Sequence, residues 1–219
     1  MRRVSILIAG LLAISCAHKP SKPTATETTP ANTGAAVASI PGLAPTPGEK
    51  VAAFDLDRSG KASLWKYTVV VGEGKERLLR KERDLNGDGK VDVWEAYDED
   101  GNVTTQAYDL DFDGKPDLVI TYEKGQLVKK EYAPGFDGMA RTTAYYEGGK
   151  LVRKERDTKG TGKVDTWEYW ENGELDRVGV DLDGDGEVDR WTKREGGEEA
   201  QAEAQPPPPP PAKPKGKEK

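Results

Sequence analysis

Oxygen-bearing side chains recur at fixed spacing in one short stretch of the chain. It runs from residue 84 to residue 95 and reads Asp-Leu-Asn-Gly-Asp-Gly-Lys-Val-Asp-Val-Trp-Glu. Carboxylate or amide oxygens stand at its first, third, fifth, ninth and twelfth places, which are Asp84, Asn86, Asp88, Asp92 and Glu95. Ca²⁺ requires about six to eight hard oxygen ligands and a sharp turn, usually at glycine, that gathers them. The stretch therefore predicts a Ca²⁺-binding loop that turns at Gly89.

The same pattern returns twice further along the chain. Its acidic places are Asp109, Asp111, Asp113 and Asp117 in one copy, and Asp181, Asp183, Asp185 and Asp189 in the other. Two copies that begin at residues 55 and 157 have fewer carboxylates, and a sixth, over 133–141, keeps only Asp137-Gly138. The copies begin at residues 55, 84, 109, 133, 157 and 181, so the steps settle at about 24 residues. A fixed period of this length predicts an array of repeated units.

The stretch at 84–95 resembles the loop of an EF-hand, with Glu95 at the place of that family's bidentate carboxylate. The flanking residues alternate as strands do, so the resemblance implies the loop chemistry and not the helices. The loops are also similar to the Asp-x-Asp-x-Asp-Gly repeats of bacterial surface proteins. Ile120 and Thr192 stand at the twelfth place of the other two loops. Without that carboxylate we expect dissociation constants of roughly 10⁻⁴ to 10⁻³ M, as in extracellular calcium modules.

The segments between the loops predict β-hairpins. Each loop is followed by an aromatic run, a turn signal such as Asn172-Gly173, and a second run that leads into the next loop. Aromatic and β-branched runs around such turns are typical of hairpins. The segments 145–151 and 169–175 resemble MORN-type or YD-type hairpin repeats. The predicted fold is all-β: tandem hairpins of about 24 residues over 51–194, in an extended antiparallel sheet or an open superhelix.

The bulk composition limits both the core and the partners. Charged residues make up 33% of the chain, the mean hydropathy is −0.77, and the chain contains 25 glycines and 15 prolines. These values favour a thin sheet with aromatic ribs over one thick core. The formal net charge of −6 argues against nucleic-acid binding, which requires a basic surface.

The first residues predict a targeting segment. Residues 1–15 combine Arg2 and Arg3 with an apolar run of eleven residues, which is short for a membrane span and typical of a signal peptide. Leu12-Ala-Ile-Ser-Cys16 resembles the lipobox of bacterial lipoproteins, which implies that Cys16 carries lipid. An ordinary signal peptide with an incidental cysteine is the alternative. The resemblance implies a lipid-anchored protein of the bacterial cell envelope, and Ala17 favours the outer membrane by analogy with lipoprotein sorting.

Two further segments predict disorder. Residues 16–50, rich in Pro, Thr and Ala after the cysteine, have almost nothing large to bury, so we expect a spacer. Residues 195–219 combine an acidic stretch, a proline run at 206–211 and a lysine-rich end. This tail either touches an anionic surface through its basic tip or serves only as a solubilising segment.

The chain carries no residues that favour an enzyme. Its single histidine lies in the spacer, and no nucleophile motif occurs. We therefore expect a membrane-anchored protein whose repeats bind Ca²⁺ for rigidity and serve as a spacer or an interaction surface. The alternative is a module that binds envelope polysaccharide or another envelope protein through its aromatic face or basic tail, with loops acting only as turns. A third hypothesis is an accessory subunit of an enzyme.

Overall fold

The computed structural model describes residues 40–135, 139–195 and 198–202. It contains one antiparallel sheet in which thirteen strands follow one another in chain order. The strands are β1 (Lys50–Phe54), β2 (Leu64–Val71), β3 (Lys75–Arg83), β4 (Val93–Tyr97), β5 (Val103–Tyr108), β6 (Leu118–Glu123), β7 (Gln126–Tyr132), β8 (Thr142–Glu147), β9 (Lys150–Arg156), β10 (Thr166–Glu171), β11 (Glu174–Val180), β12 (Arg190–Glu195) and β13 (Glu198–Ala202). A short 3₁₀ turn, Gly72–Gly74, joins β2 to β3. The predicted all-β fold of consecutive hairpins in one antiparallel sheet is confirmed.

The strand connections alternate between two ends of the sheet. Short turns join β2 to β3, β4 to β5, β6 to β7, β8 to β9 and β10 to β11, and we call this side the turn end. Nine-residue loops, such as 84–92 and 109–117, lie at the opposite, loop end. Lys124 and Gly125, like Asn172 and Gly173, all have positive φ angles. Two successive positive φ values define the type I′ turn, whose twist matches that of hairpin strands.

A bulge recurs at the same place in five successive hairpins. The register shifts after Tyr67, Ala96, Thr121, Tyr145 and Tyr169. At each shift, one residue of the partner strand has no residue opposite it in the ladder. Bulges increase the local right-handed twist of a strand pair. The repetition of this one irregularity shows that the hairpins are equivalent in geometry as well as in order.

Two rows of side chains cross one face of the sheet at right angles to the strands. The row nearest the loops is Ala53, Trp65, Glu82, Trp94, Ala107, Val119, Glu131, Thr143, Glu155, Trp167, Gly179 and Trp191. The next row is Val51, Tyr67, Arg80, Ala96, Thr105, Thr121, Lys129, Tyr145, Arg153, Tyr169, Arg177 and Lys193. The pairs Trp65–Tyr67 and Trp167–Tyr169 therefore share this face, as their two-residue spacing implies.

Residues 40–49, which we call the strap, lie on this face over the first hairpins. Leu43 is 2% exposed and packs in a cluster with Trp65, Tyr67 and Trp94. Gly42 has a φ of 81°, and a Cβ atom there would come within 2.8 Å of the Cβ of Ala96. The face that carries the strap is the strap face. The sequence predicts a disordered spacer over residues 40–49; the structure corrects this, because Leu43 is buried in the same cluster as Trp65 and Trp94.

The sequence predicts disorder from residue 195 onward. The structure corrects the start of this segment, because residues 198–202 form β13 and pair with β12. The signal peptide (1–15), Cys16, most of the spacer, Asp137-Gly138 and residues 203–219 lie outside the described residues. Within the described part of the chain, no helix is long and apolar enough to cross a membrane.

The buried cluster under the strap makes a prediction about stability. Trp94 is 0% exposed, so Trp94→Ala should lower the free energy of unfolding by about 3–5 kcal/mol through lost contacts and a cavity. Leu182→Ala is the matched control, since Leu182 is 58% exposed. Urea unfolding followed by circular dichroism measures both. Equal midpoints for the two variants would show that the cluster does not stabilise the sheet.

Candidate metal-binding loops

Two carboxylates, at the first and ninth places, shape the three acidic loops by accepting bonds from the loop backbone. In the loop 84–92, the two oxygens of Asp84 accept bonds from the N–H groups of Gly87 and Gly89, at 2.6 and 2.8 Å. Asp92, at the ninth place, accepts a bond from the N–H of Leu85 at 2.7 Å. A side chain that bonds its own loop backbone in this way fixes a tight turn. The first and ninth places therefore hold the loop closed.

The same bonds recur in the other two acidic loops. Asp109 accepts from the N–H groups of Phe112 and Gly114 at 2.8 and 2.7 Å, and Asp117 accepts from Leu110 at 2.8 Å. In the last loop, Asp181 accepts bonds from Gly184 and Gly186, and Asp189 accepts one from Leu182. The three loops share one geometry, and this geometry follows from their shared sequence pattern.

The loop 157–165 shows which places the turn does not need. Asp157 bonds the N–H groups of Thr161 and Gly162, and Asp165 accepts from Thr158 and Lys159, as in the acidic loops. Its third and fifth places are Lys159 and Thr161, neither of which is acidic. The loop therefore closes without carboxylates at those places. In the acidic loops the third and fifth places add turn bonds of their own, as where Asn86 and Asp88 accept from the N–H groups of Asp88 and Lys90, both at 2.8 Å.

Carboxylate oxygens converge in two of the loops. One oxygen each from Asp109, Asp111 and Asp117 lie within 4.8 Å of one another. The same holds for Asp181, Asp183 and Asp185. Three oxygens this close repel one another unless a cation or protons intervene, and carboxylates are the ligands that Ca²⁺ prefers. These two sets are the candidate metal sites.

The remaining predicted ligands of these two loops stand apart from the converging groups. Asp113 forms an ion pair with Lys115, whose Nζ lies 3.3 Å from Asp113 Oδ2. Asp189 has one oxygen engaged by the N–H groups of Leu182 and Asp183. A metal in either loop would therefore take its further ligands from backbone carbonyls or water.

The loop 84–92 brings together a different set. Asn86 supplies an amide at its third place, and the described carboxylates of this loop do not form a converging group of three. Asp92 is 1% exposed, and its Oδ1 has no hydrogen-bond partner among the described residues. Because a buried acceptor without a partner is costly, this oxygen is available to a cation or a water molecule.

Glu95, predicted at the twelfth place, lies on the sheet and not at the loop. Its carboxylate accepts bonds from Gln106 Nε2 at 3.1 Å and from the hydroxyl of Tyr97 at 3.0 Å. Arg83 lies 3.5 Å away. The structure therefore does not bring Glu95 together with Asp84, Asn86, Asp88 and Asp92.

The loop carboxylates differ in their electrostatic surroundings. Burial, together with the nearby Asp113 and Asp111 charges, raises the pKa of Asp109 despite its backbone hydrogen bonds. Burial likewise raises the pKa of Asp92, to which Asp84 and Asp88 contribute. The N–H groups of Gly184 and Gly186, with the Lys159 ammonium, hold the pKa of Asp181 below its ordinary value of 3.8. The negative charge of the loop 109–117 is therefore less compensated by nearby donors and cations than that of the loop 181–189.

Two lysines that the sequence pattern did not single out reach the last loop. Lys159 Nζ donates to the carbonyl oxygen of Asp181 at 3.1 Å, and Lys163 Nζ donates to that of Gly184 at 3.4 Å. Both lysines come from the neighbouring loop 157–165. Their ammonium groups occupy carbonyl oxygens that a metal in the last loop could otherwise use. The pairing of β9 to β12 brings the two loops side by side. The residue spacing within one loop therefore does not predict the lysine contacts.

Comparison with known proteins identifies no family. No family model matches the chain, and no curated protein does. A structure of accessory secretory proteins 1, 2 and 3 from Streptococcus pneumoniae matches with 14% identity and a TM-score of 0.26, over 53% of this chain and 19% of that one. The Gap123 glycosylation-associated complex of Streptococcus agalactiae matches with 18% identity and a TM-score of 0.26, over 48% and 18%. Likenesses this weak carry no argument about function.

The opposite pKa shifts predict distinct titrations in metal-free protein. The Asp109 carboxyl should titrate above 3.8 and the Asp181 carboxyl below it. Ionisation of Asp109 then opposes folding as pH rises through its raised pKa, whereas ionised Asp181 stabilises the fold until pH falls through its lowered pKa. Carboxyl carbon shifts, measured by NMR from pH 2 to 7, report both. Coincident titrations would contradict the difference between the two loops.

Proposed function

We propose that this chain is a lipid-anchored bacterial envelope protein whose hairpin array binds Ca²⁺ at the loop end and serves as a rigid spacer or interaction surface. The observation that carries the proposal is the convergence of Asp109, Asp111 and Asp117 within 4.8 Å. Asp111 also accepts a bond from the N–H of Asp113 at 3.1 Å, but the loop 157–165 closes with Lys159 at the same place. Burial, with the nearby Asp113 and Asp111 charges, raises the pKa of Asp109, and a cation would favour its ionised form.

Metal binding at the loop end would stiffen the joints between hairpins. The N–H of Asp109 donates to the carbonyl oxygen of Asp92 at 2.8 Å, and the N–H of Asp181 donates to that of Asp165 at 2.9 Å. The end of one loop is thus bonded to the start of the next. A cation held by one loop restrains its neighbours through these bonds, and its binding free energy adds to the stability of the array.

The anchor part of the proposal comes from the sequence. Acyl chains on Cys16 would hold the protein on a bilayer, since each buried methylene contributes about 0.8 kcal/mol. The segment 17–39 would then separate the strap and the sheet from the membrane surface. Its Pro, Thr and Ala residues favour extended conformations over a packed core.

A second candidate function is a protein- or polysaccharide-binding module whose loops are turns alone. The observation in its favour is that the loop 157–165 closes through the same bonds with two carboxylates only. Calorimetry with Ca²⁺ separates the two candidates, because this alternative predicts no heat of binding from the loops.

Removal of one converging carboxylate should remove one binding site. For the purified full chain, Asp111→Ala should abolish Ca²⁺ binding at the loop 109–117 and lower the fitted number of sites by one. Asp100→Ala is the matched control, because it removes an exposed carboxylate from the turn end. Isothermal titration calorimetry measures the stoichiometry of all three proteins. An unchanged isotherm for Asp111→Ala would argue that this loop is only a turn.

Replacement of the cysteine should release the protein from membranes. In a bacterial host, Cys16→Ser should shift the chain from the membrane fraction to the soluble fraction and abolish incorporation of labelled palmitate. His18→Ala, two residues away, is the control and should stay in the membrane fraction. Membrane retention of Cys16→Ser without label would mean that an uncleaved segment, and not lipid, anchors the chain.

A further inference from the structure

The first hairpins show how the strap face holds a carboxylate from outside the sheet. The Arg80 guanidinium lies 3.5 Å above the Tyr67 ring, and its Nε donates to Glu82 at 3.0 Å. The Tyr67 hydroxyl donates to the same Glu82 carboxylate at 2.9 Å. Both terminal nitrogens of Arg80 then donate to the two oxygens of Glu49, the last residue of the strap. Arg80 therefore has two carboxylate partners, one within the sheet and one from the strap.

The same arrangement recurs on β8 and β9 without the second carboxylate. The Arg153 guanidinium lies 4.1 Å from the centre of the Tyr145 ring, and its Nη2 lies 3.4 Å from Glu155 Oε1. The Tyr145 hydroxyl donates to Glu155 at 2.9 Å, as Tyr67 does to Glu82. Among the residues that the structure describes, Glu155 is the one carboxylate paired with Arg153, and the arginine side chain is 22% exposed against 2% for Arg80.

A partial copy follows on β10 and β11, where Gly179 takes the place of the glutamate in the row. Arg177 lies 4.7 Å from the Tyr169 ring and 5.7 Å from that of Trp191. Arg177 Nη1 lies 3.5 Å from Oδ2 of Asp176, the adjacent residue on the same strand, and the arginine side chain is 34% exposed. Lys129 and Lys193 flank these arginines in the same row of the strap face. From Lys129 to Arg177 the row therefore alternates cations with tyrosine rings.

The described strap stops short of these two arginines. Its first residues, Ile40 and Pro41, line a pocket of about 290 Å³ together with Lys129, Glu131 and Val119 on β6 and β7. From there it crosses β4 at Ala96 and reaches β3 at Arg80. The strap thus runs across the strands, and its sequence, Ile-Pro-Gly-Leu-Ala-Pro-Thr-Pro-Gly-Glu, is rich in proline.

We propose that the strap face over β8 to β11 binds an extended, proline-rich acidic segment of a partner protein, whose carboxylates pair with Arg153 and Arg177. The two arginines stand in one row on alternate strands, which places them about 9–10 Å apart at the usual strand spacing. A polyproline II segment repeats every three residues, or about 9.3 Å. Acidic residues three apart on such a segment therefore match the two guanidinium groups.

Arginine suits this role because its planar fork pairs with a carboxylate through two hydrogen bonds, as Arg80 does with Glu49. The tyrosine under each guanidinium fixes the direction of the fork and contributes a cation–π interaction. The inference is separate from Ca²⁺ binding, since the strap-face rows and the loops are different parts of each hairpin.

The test uses the full chain in a mild detergent, at low ionic strength and with saturating Ca²⁺. The probe is a fluorescent peptide, Glu-Pro-Pro-Glu-Pro-Pro-Glu, and its matched control has glutamine in place of each glutamate. Fluorescence anisotropy should show saturable binding of the acidic peptide and binding of the control that is at least tenfold weaker. Equal binding of the two peptides would overturn the proposal, and this comparison needs no altered protein.

Protein variants then locate the site. Arg153→Gln with Arg177→Gln should weaken binding of the acidic peptide at least tenfold, and the corresponding lysine variants should weaken it less, because lysine keeps charge without the fork. Lys130→Gln with Lys154→Gln, on the opposite face, is the control that removes equal charge and should leave binding unchanged. Binding that survives loss of both arginines would overturn the proposal.

Two competing occupants give distinct results. Polygalacturonate that displaces the peptide at a lower carboxylate concentration than the peptide itself would assign the face to an acidic polysaccharide. Self-association in sedimentation experiments that disappears with Arg153→Gln and Arg177→Gln would assign it to a second copy of the chain. Either result would overturn the proposal of an acidic partner segment.

Discussion

The structure depends on a pair of carboxylates that closes each acidic loop, and the loop 157–165, onto its own backbone. Asp84 and Asp92 between them accept bonds from the N–H groups of Gly87, Gly89 and Leu85. The closed loop brings the end of one hairpin beside the start of the next, and backbone bonds between successive loops continue the sheet there. Since a lone hairpin is marginal in water, these joints and the strand pairing between hairpins, such as β3 with β4, together hold the hairpins in one sheet.

The closing carboxylates also set the chemistry of the loop end. They concentrate negative charge at one end of the sheet, and each further carboxylate at the third or fifth place adds to the repulsion. In the loop 181–189 the Lys159 ammonium offsets part of this negative charge. In the loop 109–117 the described ion pair is that between Asp113 and Lys115. The two candidate sites therefore differ in the charge left for a cation, although their sequences follow one pattern.

The features that the sequence predicts are those that local interactions determine. Turn residues such as Asn172-Gly173 and the recurring Asp-x-Asp pattern determine the backbone of their own short segment. The hairpins and the loops are therefore predictable from the sequence. Glu95 shows the limit of this approach. In a helix, three residues past Asp92 would advance only about 4.5 Å, whereas a strand carries Glu95 about 10 Å along the sheet, to Gln106 and Tyr97. The strap and the Lys159 contact depend on which strands become neighbours, which no local pattern shows.

Lanthanide luminescence measures directly whether the loop end binds Ca²⁺. Terbium, added to the full chain, is excited through tryptophan, and Trp94 and Trp191 each follow an acidic loop closely in sequence. Terbium bound in the loops should give saturable emission that millimolar Ca²⁺ abolishes by displacing the terbium. Absence of sensitised emission, or emission that Ca²⁺ leaves unchanged, would contradict Ca²⁺ binding at the loop end and leave the loops as turns of a hairpin sheet.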